Sequence, residues 1–220
     1  CQDKIMTTGG EGGMVTTDNK NLWKKMWSYK DHGKSYNTVY NKKHPDGFRW
    51  LHESFGTNWR MTEIQASIGR IQLKKMNQWT KKRNINQNKI WKNCKSLDLI
   101  RTPEFNDESW KFFDKGNVHA AYKCYIFVNK NRLKIGWTRD KIIKEITKLG
   151  VPCFSGSCSE VYLEKAFIKS RLRPKNRLKS AKELSETSLC FLVHPTITKK
   201  EIDLTCRSIT TVVKKATKIL

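Results

Sequence analysis

Four glycines fall within five positions near the start of the chain, Gly9-Gly10-Glu11-Gly12-Gly13, behind Lys4 and the pair Thr7-Thr8. Glycine lets backbone approach backbone, or a flat ligand, because no Cβ intervenes. Two readings stand at this point. The segment is a glycine-rich hairpin with a solvated lysine, or it is a tight passage that desolvates Lys4 and makes its amine a nucleophile toward carbonyls. The second is the chemistry of a Schiff-base lysine.

The 220 residues suffice for one large domain or a domain and a half. Hydrophobic residues make up 37%, below the usual globular share, but eight Trp, nine Phe and six Tyr supply the large groups a core needs. That content argues against disorder. The net charge of +24 draws attention to polyanions. The charge is spread from Lys20 to Lys218, lysine outnumbers arginine, and no nucleic-acid-binding pattern occurs. A basic polyanion- or nucleic-acid-binding module is therefore the rival reading, and nucleic acid is not the expected partner.

The seven cysteines, at positions 1, 94, 124, 153, 158, 190 and 206, contain no CxxC pair. This excludes a zinc ribbon or redox motif, and no metal site is expected. Cys124, Cys153 and Cys190 lie in apolar runs and read as small core residues. The pattern suits a reducing compartment, hence the cytoplasm, and no signal or membrane-spanning run is present. A chain starting at Cys1 fits a processed lipoprotein or a fragment, and the fragment is the expected case.

Met14–Thr17 reads as a strand and Asp18 as the cap of a helix from Asn19 to Tyr29, which Gly33 closes. His32 is expected to meet the last helical carbonyls or to serve a polar site. Residues 34–57 read as a long loop carrying Tyr36, Tyr40, Phe48 and Trp50, suited either to covering a pocket or a partner subunit or to folding its aromatics back on its own domain. Thr62 is expected to cap a helix that runs through Trp79 to about Trp91. Its stripe is Ile64, Ile68, Ile71 and Met76, its close-packing residues are Ala66, Ser67 and Gly69, and its second half (Lys74, Lys75, Lys81, Lys82, Arg83) reads as a solvated face.

Residues 93–117 read as an irregular linker between 1–92 and a small α+β domain at 118–220. In that domain, strands are expected at 118–128, 151–154 and 189–193. Helices are expected at 139–149 behind Thr138, at 161–168, at 180–187, and at 199–217 behind Thr198.

Four stretches resemble the DegT/DnrJ/EryC1/StrS family of pyridoxal-phosphate-dependent aminotransferases acting on nucleotide-linked sugars. They are Lys4 with Thr7–Gly13, then Lys30-Asp31-His32-Gly33, then Gly56–Glu63 continuing through Gln65-Ala66, and finally Gly150-Val151-Pro152 through Leu192-Val193-His194-Pro195. The third is specific, and together they cover nearly the whole chain.

The resemblance implies an α/β architecture, the C-terminal part of a fold-type-I aminotransferase: the edge of the large α/β/α domain plus the small α+β domain. It implies that pyridoxal 5′-phosphate forms a Schiff base with Lys4, which then moves protons. It implies that Asn58 reaches across a homodimer to the cofactor phosphate of the other subunit. The substrates implied are a nucleotide-linked keto-sugar and an amino-acid donor, glutamate, in polysaccharide or glycan biosynthesis. A non-catalytic family member is the alternative, and Lys4 argues against it.

The sequence departs from the family pattern in three ways. The loop carries one glycine more than the common TTGEGG form. Tyr162 stands where many members carry a substrate-facing histidine, although an aromatic on a short helix is more often a core residue. The family's N-terminal part, with the aspartate at the pyridine nitrogen, has no counterpart here, so this chain alone is expected to be inactive. His32 and Tyr162 remain candidate substrate residues.

Overall fold

The computed structural model describes residues 4–47, 49–104 and 118–218. The chain separates into two compact units, 1–76 and 77–220, which differ from the expected domains in placing the division within a helix.

In the first unit, α1 spans Lys20–Lys30. Its cap is Asn19, not Asp18, because the Asn19 carboxamide oxygen accepts the Leu22 N–H at 3.0 Å. The helix ends where His32 (φ 63°) and Gly33 (φ 85°) turn left-handed and the Gly33 N–H returns to the Ser28 carbonyl at 2.8 Å. A Cβ at Gly33 would lie 1.7 Å from the Ser54 carbonyl oxygen, so glycine is obligatory there. The expected strand at 14–17 is absent. Met14, Val15 and Thr16 are exposed, and no described strand in this unit lies beside them to complete a ladder.

The long loop contains a helix, α2 (Tyr36–Asn41), capped by Ser35. Tyr36 and Tyr40 turn back onto α1. Tyr36 packs edge-on against Trp23 and Trp27 at 5.0 and 5.2 Å, and Tyr40 lies 4.7 Å from Tyr36. Trp50 and Phe55 instead stand 80% and 100% exposed. Phe48 lies outside the described residues.

Helix α3 runs Glu63–Cys94. Thr62 caps it as expected: its Oγ1 accepts the Gln65 N–H while Gln65 Oε1 accepts the Thr62 N–H, a reciprocal capping pair. Of the predicted stripe, Ile68 and Met76 are partly covered, whereas Ile64 and Ile71 are exposed.

The second unit, taken by itself, is a four-stranded antiparallel sheet backed by helices. Its strands are β1 (Ile100–Arg101), β2 (Cys124–Val128), β3 (Cys153–Phe154) and β4 (Ser188–Phe191), in the order β1-β2-β4-β3. Register is set by pairs such as Cys124 with Phe191 and Cys153 with Phe191. The helices are α4 (Arg139–Lys148), α5 (Lys165–Lys169), α6 (Lys179–Thr187) and α7 (Lys199–Ala216). Ile90, Leu99, Ile126, Ile142, Phe191 and Ile209 form the centre of the core.

Three expectations are corrected in this unit. The strand expected from 118 starts only at Cys124, because Ala121 (φ 48°) bends the chain out of extended geometry. The stretch 93–117, read as irregular, contributes β1, while residues 105–117 lie outside the described residues. Arg83, read as part of a solvated face, is buried, as are Asn84, Asn86 and Gln87 around it. The second half of α3 turns a polar side inward, which apolar periodicity alone could not reveal.

The cysteine reading holds: Cys124, Cys153 and Cys190 are buried, and so are Cys94 and Cys206. Burial, the largest cause, pushes the Cys94 and Cys153 thiols up to about 12. Among the described residues, no helix is long and apolar enough to cross a membrane, and no cluster could hold a metal.

Candidate active site

The glycine turn is built on the first half of α3. Gln65 Nε2 donates to the Glu11 carbonyl at 2.9 Å, and Gln72 Oε1 accepts the Thr7 N–H at 3.4 Å. Thr8 is buried inside the turn. Its hydroxyl reaches the carbonyls of Gly10 and Glu11, and its methyl lies where a Cβ on Gly69 would come within 3.3 Å. Gly9 has φ 77°, and a Cβ there would lie 2.9 Å from Ile68 Cδ1. A Cβ on Gly12 would lie 2.8 Å from Thr8 Oγ1. A Cβ is thus crowded at Gly9 and Gly12, whereas Gly10 and Gly13 have room for one, and Lys4, four residues before Thr8, is exposed.

A second cluster forms where α1 ends. The Trp59 N–H donates to the Lys30 carbonyl at 2.9 Å, the Thr57 N–H to Tyr29 at 2.7 Å, and the His32 N–H to Thr57 at 2.9 Å. Asp31 and Asn58 are bridged backbone to backbone. The exposed Asn58 accepts the Arg60 Nε–H on Oδ1 at 3.2 Å, which leaves its Nδ2 donors turned to solvent. Arg60 also lies 3.5 Å from the buried Asp31 carboxylate, which Lys34 Nζ approaches at 3.4 Å. His32 Nε2 lies 3.4 Å from Arg60 Nη2. His32 and Asn58 therefore meet through Arg60, a residue inside the recognised motif that sequence reasoning gave no role. Asn58 and Arg60 stand two apart in one motif, but only the fold joins positions 31 and 60.

Between the glycine turn and α1 lies a cleft of about 1040 Å³, lined by Gly12, Gly13, Met14, Trp23, Trp27 and Trp59.

Tyr162 belongs to the second unit and is buried there. Its hydroxyl donates to Glu160 Oε1 at 2.7 Å and accepts the Leu178 N–H at 3.0 Å. Both its hydrogen-bonding roles are filled by protein groups. Glu160 is held by Arg177, Tyr162 and Ser185, and the Arg177 bonds above all pull its carboxyl down to about 2.

The fold is that of an aminotransferase. The solved aminotransferase from Psychrobacter cryohalolentis superposes with a TM-score of 0.90 at 58% identity, covering 98% of this chain and 55% of that one. Residues 2–210 match the DegT/DnrJ/EryC1/StrS aminotransferase family, and the chain belongs to it. An uncharacterized protein of Methanocaldococcus jannaschii is 34% identical over 147 residues, 66% of this chain and 35% of its own length. A GDP-perosamine synthase of Escherichia coli O157:H7 is 37% identical over 84 residues, 38% of this chain and 20% of its own. The chain thus spans at most 55% of the length of these relatives.

Proposed function

We propose that the chain is the Lys4-bearing portion of an aminotransferase that moves an amino group, from glutamate, onto the keto group of a nucleotide-activated sugar for polysaccharide or glycan synthesis. The observation that carries this reading is an exposed Lys4 ahead of a glycine turn in which a Cβ at Gly9 or Gly12 would come within 3 Å of a neighbouring side chain, in a chain of this family.

These residues fit pyridoxal phosphate. Lys4 is the amine to hold it, and Asn58 offers an unengaged amide donor for a phosphate. Bound, the cofactor would supply the electron sink that amino transfer needs. The remaining tasks fall to the chain. Lys4 Nζ carries the proton exchanged during transfer. Arg60 fixes the Asn58 carboxamide by occupying Oδ1, so that Nδ2 is the end presented to an anion. Asn58 serves the site of a second subunit in a homodimer. His32, paired with Arg60, faces substrate from the same cluster, and Tyr162 acts on substrate binding through the position of its loop.

The test uses the whole enzyme. Borohydride reduction followed by peptide mass spectrometry is expected to find a pyridoxyl adduct on Lys4, and Lys4→Ala is expected to abolish amino transfer from glutamate to a nucleotide-linked keto-sugar. A preparation that transfers amino groups without any adduct at Lys4 would overturn the reading.

A further inference from the structure

Arg83, Asn84 and Gln87 share one side of α3, since residues three and four apart are neighbours on a helix. They are 3%, 1% and 0% exposed. Asn84 Nδ2 donates to the Thr80 carbonyl at 2.9 Å and the His119 carbonyl at 2.8 Å, which fixes the orientation of the amide. Asn84 Oδ1 is then an acceptor with no partner among the described residues, and the same holds for Arg83 Nε, Gln87 Nε2 and Gln87 Oε1. Arg83 Nη1 reaches the Tyr122 carbonyl at 3.5 Å, and no described carboxylate pairs with its charge. One buried face thus presents two N–H-bearing nitrogens and two acceptor oxygens that the protein leaves unmatched, an arrangement native interiors avoid unless something else completes it.

The mixture of groups selects the ligand. An anion would suit Arg83 but would be repelled by Asn84 Oδ1 and Gln87 Oε1. A cation would suit those oxygens but not the guanidinium. Water is neutral and both donates and accepts. We propose that this face is a permanent internal water site. A buried water makes about three hydrogen bonds, so the four atoms call for roughly one or two molecules.

The site has a structural task. Arg83 and Asn84 hold the carbonyls of Tyr122 and His119, on either side of the left-handed Ala121. Water bound to the same side chains keeps them in place, and with them the bend that delivers the chain into β2.

A crystal structure of the wild-type protein that resolves internal water is expected to show density within hydrogen-bonding distance of Gln87 and Arg83 Nε. Protein groups pairing these atoms, or an anion peak in that place, would overturn the proposal. Thermal melting of Gln87→Leu gives an independent sign. Loss of a water ligand lowers the melting temperature, whereas removal of a dry, unpaired amide raises it.

Discussion

Arg177 grips Glu160 through two hydrogen bonds of 2.6 Å, Nε to Oε1 and Nη2 to Oε2. Ser185 Oγ adds a third donor at 3.0 Å and Tyr162 a fourth. The cluster ties the turn before α5 to the residues just ahead of α6 and, through Ser185, to the C-terminal half of that helix. Because the folded carboxyl titrates near 2, below its ordinary 4.5, its contribution to stability is complete above about pH 4.5 and is lost as pH falls toward 2. Glu160→Gln is therefore expected to melt below wild type at neutral pH, with the gap closing through that acid range. A gap constant with pH, in melts followed by circular dichroism, would contradict the ionic role.

Gly33 and Gly56 meet backbone to backbone. A Cβ on Gly56 would come within 2.5 Å of the Gly33 nitrogen, and one on Gly33 within 1.7 Å of the Ser54 carbonyl oxygen. Gly33→Ala is expected to cost more than the ~1–2 kcal/mol of a left-handed backbone alone, because the clash is with main chain that cannot step aside. Chemical denaturation of wild type and variant measures it. A loss below 1 kcal/mol by that measure would show that the 53–56 segment yields.

Three helix starts were legible because their capping signals are local, although α1 starts one residue later than its sequence signal and α2 lies in a stretch that reads as loop. Thr62, Thr138 and Thr198 each cap the helix they precede, and each does so with a hydroxyl three residues before the N–H it accepts. Strand extent was not legible, because pairing is decided by distant partners. Val118–Lys123 has the composition of a strand, but Ala121 turns it aside, and Met14–Thr17 finds no described neighbour. At the candidate site, Lys4, His32 and Asn58 could be named from motifs. The Arg60 link from Asn58 to His32, like the commitment of the Tyr162 hydroxyl to Glu160 and Leu178, depends on contacts between positions far apart in the chain. Arg83 shows the same limit, since a basic run gives no sign of which lysine or arginine turns inward.

Thr198 opens α7 with a complete capping box, its hydroxyl accepting from Glu201 N–H while Glu201 Oε2 accepts the Thr198 N–H at 2.7 Å. The helix it starts buries Ile202, Ile209 and Val213 in the core. Thr198→Ala is expected to cost about 1 kcal/mol in urea unfolding, with an unchanged dependence on denaturant. Thr198→Asn, which can still cap, should recover most of it.

Cys158 is the exposed member of the described cysteines, while Cys94, Cys124, Cys153, Cys190 and Cys206 are buried with thiols raised by burial. Thiolate is the reactive form, so exposure favours Cys158 while burial holds the other five as thiols. Brief alkylation of the folded protein is expected to label Cys158 well before those five, which should react together on unfolding. Early labelling of Cys124 or Cys190 by peptide mass spectrometry would contradict the placement of β2 against β4.

The proposed homodimer makes a sharper claim about Lys4 and Asn58, that one subunit's amine works with the other's amide. In the whole enzyme, Lys4→Ala should be inactive and Asn58→Ala should need more cofactor to reach full activity. Mixing the two variants by unfolding and refolding then gives dimers in which one site combines an intact Lys4 with an intact Asn58. Random assortment under two-fold symmetry predicts recovery of about a quarter of wild-type activity at limiting cofactor. If Asn58 instead served its own subunit's site, no site in the mixed dimer would hold both residues, and activity at limiting cofactor would stay at the level contributed by Asn58→Ala.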